Sequence, residues 1–452
     1  LGGLARHAKL VEDQRSRGAV LALDGGDALL KELPIPTVMR AQFGDKADVV
    51  ARVYGRLLDA FVPGELDVGD NAAWMVELLR RHKVPVVAAN LVGKDGQRVF
   101  PPFLLKNIAG LKVLVVGAVD ATLWPRGVSV LATEPVAAIE QALKDAPSHD
   151  VAVLLAHANS DTAGAWASAS GAFALVGAGH GGTIFFHPKV APSKAGARVP
   201  QALLLSAGKG GKYLGKLRVV HVPGEPGYRG GDAYARVRLQ LDNARRRLVD
   251  NPKDQAALTA QAELSAAVAE DERHAHADWD LVGLEQELPE VPEISALVAA
   301  YNARNAQREA GLMAGVTAVE APPPGSPYVG LKVCVTCHQE QNAVWVRTKH
   351  AHAMESLKRT NQGLDRECIS CHTTGFGEAG GFREPSTMGG FQEVQCEACH
   401  GPGRNHVQTN GGRGTIQRAT PEATCLRCHT PELTPQFRYT RDREHIRHWK
   451  GP

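Results

Sequence analysis

The chain has 452 residues, 44% of them hydrophobic and 22% charged, with 51 Lys and Arg against 48 Asp and Glu for a net charge of +3. That length suits two or three domains, and so balanced a charge argues against nucleic acid or an anionic membrane surface as the partner. No apolar run reaches the ~18 residues of a membrane span, so no transmembrane helix is expected.

Residues 1–229 alternate short apolar runs with helical stretches. Ala19 to Leu23 ends on Asp24-Gly25-Gly26-Asp27, Val84 to Ala89 on Asn90, and Lys112 to Ala118 on Val119-Asp120. Asp150 to Ala156 ends on His157, and Phe173 to Gly177 on Ala178-Gly179-His180-Gly181-Gly182. Each run has the length of a buried strand and closes on a polar or glycine turn. Helical patterns such as Asn71 to His82 lie between them. The pattern predicts an α/β domain whose polar groups collect at strand ends, where such folds bind ligands.

Several of these stretches resemble the 5′-nucleotidase branch of the metallophosphoesterases: Gly2-Gly3-Leu4-Ala5-Arg6, Leu23 to Asp27, Ala89-Asn90, Leu155-Ala156-His157 and Gly179-His180. The resemblance implies an α/β sandwich holding two metals that activate a water and clamp a phosphate. On it, Asp27 matches the bridging carboxylate, and His157 and His180 match two imidazole ligands. Three departures count against a working centre. The family's first Asp-x-His would precede Leu1. Its Gly-Asn-His-Glu has become Pro63-Gly64-Glu65-Leu66-Asp67, close to a divergent branch that reads Gly-Glu-x-Asp. Its final Gly-His-x-His has become Gly179-His180-Gly181-Gly182. A two-metal centre needs roughly six N and O donors, so Asp27, His157 and His180 are expected to be a vestigial site in an inactive or repurposed domain. The plainer reading of Asp27 and His157 is satisfied strand-end polar groups.

Residues 230–318 change character, with Ala, Arg, Glu and Gln dominant. Tyr234 to Val249 and Gln255 to Trp279 read as two long helices broken at Asp250-Asn251-Pro252, with Pro252 where a first helical turn accepts it. Leu297 to Ala310 reads as a third. The expected form is a helical hairpin with an added helix and solvated charged faces. Residues 319–327, ending Pro322-Pro323-Pro324-Gly325-Ser326-Pro327, read as a stiff linker.

From residue 328 to 452 the chain carries four Cys-x-x-Cys-His copies that use all eight cysteines. They are Cys334 and Cys337 with His338, Cys368 and Cys371 with His372, Cys396 and Cys399 with His400, and Cys425 and Cys428 with His429. This spacing attaches c-type haem: two thiols bond the vinyl groups and the histidine ligates the iron from the proximal side. Zinc ribbons use similar Cys pairs but do not require a histidine after each, and a disulfide framework leaves those histidines unexplained. Four haem c groups and no second metal are therefore expected. His350, His352, His406, His445 and His448 remain as candidate second axial ligands. Two imidazoles give an iron suited to electron transfer, and a haem lacking the second has an open position.

The segment also resembles the cytochrome c-554 family of tetrahaem electron carriers over about residues 328–450. The likeness runs through Tyr328-Val329-Gly330, Trp345 to Ala351, Glu367 to His372, Gly380-Gly381-Phe382 and Val394 to Gly403, and closes on Thr424 to His429 and Ile446-Arg447-His448. The resemblance implies a mainly α domain with three bis-histidine haems, one five-coordinate haem, and haems stacked in close pairs. Carried over by motif, His406 would face His338, His350 would face His429, and His448 would face His400. The haem on His372 would be open, with His352 and His445 as spare alternatives.

The leading functional expectation is a multihaem electron carrier docked to redox protein partners, a membrane-bound respiratory or photosynthetic complex among them, on the periplasmic or extracellular face. The chain opens at Leu1 without Met or signal peptide. Covalent haem attachment follows export, so an export signal is expected ahead of Leu1, and a lipid anchor there stays open. The alternatives are a nitrogen oxide reductase at the open haem, a metal-dependent phosphoesterase with an accessory cytochrome, and a haem-stacked filament subunit.

Overall fold

The computed structural model describes residues 3–35, 39–69, 71–285, 287–312, 322, 324–360, 362–382, 388–430, 433–434 and 436–448. The chain divides into two compact units, Leu1–Ser295 and Ala296–Pro452.

Unit 1 is built on a six-stranded mixed sheet. Its strands are β4 (Phe103–Ile108), β5 (Leu111–Val119), β7 (Val151–His157), β8 (Leu175–Ala178), β9 (Lys189–Pro192) and β10 (Gln201–Leu205), in the order β4-β5-β7-β8-β10-β9. The central pairs β5–β7, β7–β8 and β8–β10 are parallel, and the two edges are antiparallel. All seven residues of β7 are buried, as a strand covered on both faces requires. Leu114, Val116, Leu154, Val176 and Leu204 pack with α4 (Pro135–Asp145) and α5 (Ser160–Ser170) into one core. Pro135 opens α4 behind its Glu134 N-cap, and the Asn159 side chain caps α5.

The three strongest apolar runs thus become β5, β7 and β8, and Asn71 to His82 becomes α3 (Ala72–Arg81), capped by Asn71. Two runs shrink. Ala19 to Leu23 leaves only β1 (Leu23–Asp24), paired in parallel with β2 (Ala60–Phe61). Val84 to Ala89 contributes a single parallel bridge from Val86 to Phe61. Both segments stand outside the six-stranded sheet. Ahead of β2, α2 (Arg40–Leu57) buries Phe43, Ala47, Val50 and Tyr54 along one face. A small ribbon pairs β3 (Leu91–Gly93) with β6 (Val130–Ala132).

The hairpin differs from its expected form. α6 (Asp232–Asp250) is followed by α7 (Gln255–Asp271), which begins after Pro252, on an Asp254 cap, and stops well short of Trp279. Residues His276–Gly283 form β12 instead, antiparallel to β11 (Tyr213–Val220) over eight pairs. Two contacts decide this. A Cβ on Gly215 would stand 2.0 Å from the Trp279 ring, so only glycine admits the indole there. The indole Nε1 then donates to the Phe185 carbonyl at 2.6 Å. A helical reading of 255–279 cannot register a cross-strand seat of this kind.

The unit division falls within α8 (Pro292–Leu312). The rest of unit 2 is a set of short helices: α9 (Leu331–Val335), α10 (Gln339–Trp345), α11 (Ala353–Lys358), α12 (Arg366–His372), α13 (Met388–Phe391), α14 (Cys396–His400), α15 (Arg404–Gln408), α16 (Glu422–Leu426) and α17 (Tyr439–Asp442). They surround a small cluster of Tyr328, Met354, Leu357, Ile369, Phe382 and Phe391. Of the linker expected at 319–327, residues 319–321 and 323 lie outside the described residues. Its end belongs to the packed unit: Ser326 is buried and its hydroxyl meets Tyr328 N–H and the Gly380 carbonyl, both at 3.0 Å. Among the described residues, no helix is long and apolar enough to cross a membrane.

Candidate functional site

Each Cys-x-x-Cys-His copy of unit 2 sits on or beside a short helix. α12 and α14 hold the second and third copies entire, while α9 and α16 present Cys334 and Cys425. One helical turn brings both thiols and the histidine of a copy to the same side. No disulfide joins the eight cysteines. Thiols of different copies also lie side by side, Cys334 near Cys396 and Cys371 near Cys428. The first copy thus adjoins the third, and the second adjoins the fourth.

The histidines form pairs. His338 and His406 are 6.2 Å apart between ring centroids and stacked at 21°. His350 and His429 are 6.0 Å apart, and His400 and His448 are 5.7 Å apart. Metal–imidazole bonds of about 2 Å put the two nitrogens about 4 Å apart and the centroids somewhat farther, so each pair has room for one iron. In His400 and His448 the second ring nitrogen is engaged as metal-bound histidines require, whereas His429 Nδ1 is buried without a hydrogen bond. Nδ1 of His400 donates to the Gln417 carbonyl at 2.7 Å and that of His448 to Ile446 at 2.9 Å, leaving Nε2 for the metal. Burial lowers the pKa values of His350, His400 and His429, favouring the neutral, ligating form. These residues fit haem.

The His372 imidazole is oriented in the same way, with Nδ1 2.6 Å from the Ala353 carbonyl. Among the described residues, no second imidazole faces it. His352 turns its Nε2 to the Val346 carbonyl at 2.9 Å and its Nδ1 towards Glu355. His445 is exposed.

Glu397, the first residue between the third pair of cysteines, is a contributor the motif reading passed over. It is 3% exposed and accepts backbone N–H bonds from Val329 at 2.9 Å, Gly330 at 2.7 Å and Gly403 at 2.7 Å. It ties the segment that enters the first copy to the turn that leads to His406. Likewise Trp345 Nε1 donates to the Val394 carbonyl, and Val394 N–H donates to the His350 carbonyl, pinning the loop of His350 to the third copy.

In unit 1, Asp27, His157 and His180 converge, and Glu65 joins them; ligand atoms of all four lie within 4.8 Å of one another. Each follows a strand: Asp27 after β1, Glu65 after β2, His157 at the end of β7 and His180 after β8. His157 Nε2 is 2.6 Å from Glu65 Oε2 and 3.7 Å from Asp27 Oδ2. His180 Nδ1 is 3.2 Å from Glu65 Oε1 and 3.8 Å from Asp27 Oδ2, yet it is buried without a hydrogen bond. Burial alone would lower His157, but Glu65, Asp27 and the Gly25 carbonyl outweigh it and raise the imidazole to about 9. Burial also raises Asp27, with the Glu65 charge adding to it. The expectation of no second metal rested on three ligands; Glu65 makes a fourth. Asn90 stays outside this cluster, its amide spent on Val119 and Thr133. Asp67 is buried and accepts N–H bonds from Asp27 and Gly64 at 2.8 Å and from Leu29 at 2.7 Å, so it shapes the loops rather than facing the cluster.

The family profile described as "Cytochrome c554 and c-prime" matches residues 333–401, which takes in the first three copies and stops before the fourth. Cytochrome c-554 of Nitrosomonas europaea is 39% identical over 95 residues, covering 18% of this chain and 40% of its own length. The chain therefore spans less than half of that curated relative. Among solved structures, the chain is similar to a 5′-nucleotidase precursor from Thermus thermophilus at a TM-score of 0.49 and 16% identity, covering 78% of this chain and 62% of that one. It is similar to the Thermus thermophilus sulfate thiohydrolase SoxB in complex with glycerol at a TM-score of 0.48 and 16% identity, covering 68% and 47%. The similarity to the cytochrome c-554 family therefore lies in the C-terminal region.

Proposed function

We propose that this chain is a one-electron carrier with four covalently bound haems, working on the outer side of the cytoplasmic membrane. The observation that carries this reading is the set of three facing imidazole pairs, each joining one motif histidine to a histidine from outside the motifs. Haem supplies an iron that gains or loses one electron. The protein's own residues do the rest. The eight cysteines from Cys334 to Cys428 hold the groups covalently. The paired histidines, His338 with His406, His350 with His429 and His400 with His448, would each supply two imidazole ligands to one iron, which would leave no place there for a substrate. The adjoining thiols of the first and third copies, and of the second and fourth, support a close-paired arrangement. Redox proteins are the partner class, and a membrane-bound respiratory or photosynthetic complex is the proposed dock.

A second reading has its own observation. His372 lacks a facing imidazole among the described residues, so the group it holds would keep one position open to a small ligand such as a nitrogen oxide.

His406→Ala is expected to convert one haem from low-spin to high-spin while mass spectrometry still finds four attached haems, and His350→Ala to do the same at another. Four unchanged low-spin signals in either variant would refute that axial assignment. Nitric oxide added to the reduced wild type is expected to give one nitrosyl EPR signal; its absence would exclude the open position.

A further inference from the structure

The four convergent side chains of unit 1 do not fit the two-ion centre of the phosphoesterases that this unit resembles. Two ions sharing a site draw on about six protein donors, and this cluster offers four. The four do fit one ion. Donors placed tetrahedrally at about 2.0–2.2 Å from a common ion stand about 3.3–3.6 Å from each other. The cross-pairs measured here, 2.6, 3.2, 3.7 and 3.8 Å, straddle that spacing.

We propose that Asp27, Glu65, His157 and His180 hold a single first-row divalent cation. Two imidazoles and two carboxylates in a four-coordinate set favour zinc.

The surroundings are built for such a site. The His157 Nδ1–H donates to the Gly25 carbonyl at 2.6 Å, which aims Nε2 into the cluster, as the outer partner of a metal-bound histidine does. His180 Nδ1 points into the same space as a buried nitrogen without a hydrogen bond, a cost that a bound cation removes. Asp27 stands in the left-handed backbone region at φ 59°, held there by its own N–H on Asp67 and by Leu66 N–H on its Oδ1. Gly64 is obligatory: a Cβ there would meet Asp27 Oδ1 at 2.2 Å and the His157 ring at 2.4 Å. The His157 side chain is fully buried, while Asp27, Glu65 and His180 retain 18%, 17% and 28% exposure, so the site is reachable from solvent. A single ion there would join the loops after β1, β2, β7 and β8. It would stabilise unit 1 in proportion to its occupancy.

The test uses the full haem-loaded chain, stripped with a chelator and titrated with Zn2+ alone. Zinc is counted by elemental analysis against attached haem, which keeps haem iron out of the count. The expected result is one zinc per chain and a higher melting temperature for unit 1. Glu65→Gln and His180→Ala are expected to weaken zinc binding about 100-fold or more, beyond the tenfold or greater loss seen for outer partners. Melting of the stripped variants at the stripped wild-type temperature separates ligand loss from misfolding. If both variants are destabilised when stripped, cobalt absorption of Co2+-loaded wild type decides instead, with imidazole and carboxylate coordination at one site expected. No bound zinc, two zincs per chain, unweakened binding in both variants, or cobalt spectra without imidazole would each overturn the proposal.

Discussion

Unit 1 fills its interior with side chains: β5, β7, β8 and β10 bury Leu114, Val116, Leu154, Val176 and Leu204 against two helices. In unit 2 the described cluster is six residues, Tyr328, Met354, Leu357, Ile369, Phe382 and Phe391. Apart from α8, its longest described helices, α10 and α12, have seven residues. Helices that short are marginal on their own, where about 12 to 15 residues are needed. On the proposed function, haem groups held by the eight cysteines and the paired histidines would supply much of the core that side chains do not. The difference teaches that a segment can look poorly patterned because its core is meant to be a cofactor, whereas a segment with buried strands carries its own.

The comparison can be broken most directly by removing a haem. Replacing Cys396 and Cys399 together by serine is expected to leave three haems per chain and to make unit 2 sensitive to limited proteolysis, while unit 1 stays resistant. A unit 2 that keeps its protease resistance would mean that its helices stand without the full cofactor set. The converse test empties part of the other core. Leu154→Ala, at a fully buried position, is expected to cost unit 1 about 2–5 kcal/mol in denaturant unfolding and to leave the haem spectra unchanged. A coupled loss of haem signal would show that the units do not unfold separately. The smallest effect sharpens the contrast inside unit 2. Glu397→Gln puts an amide NH2 against a backbone N–H that now finds no acceptor, and about 1–3 kcal/mol is expected for a buried unsatisfied donor. Its readout is an earlier loss of unit 2 in denaturant. An unchanged midpoint would show that the covalent haems alone hold the loops of the first and third copies together.

Much of the fold is legible in the residue order, for reasons tied to particular segments. β5, β7 and β8 are parallel strands covered on both faces, so their apolar runs are continuous and easy to see. Ala19 to Leu23 has a similar composition and yields a two-residue strand, because its neighbours supply only β2 and a bridge. The stretch after Asp271 reads as the end of a long helix because Gly and Pro are rare in it, and becomes a strand because β11 offers an edge and Gly215 a seat for Trp279.

What the sequence determines by itself is the haem-attachment chemistry, because both thiols and the proximal histidine lie within five consecutive residues and need no distant partner. It also determines the apolar runs of the central strands. The tertiary structure alone decides which distant groups meet. In the sequence Glu65 reads as the loss of a ligand motif; the loop after β2 brings it to 2.6 Å from His157, 92 residues away. Glu397 reads as a spacer between two cysteines, and folding sets it against Val329, Gly330 and Gly403. His338 and His406 share no local pattern, and their facing at 6.2 Å depends on the path of every loop between them. Local chemistry is written in neighbouring residues, whereas a site assembled from several loops exists only once the chain has folded.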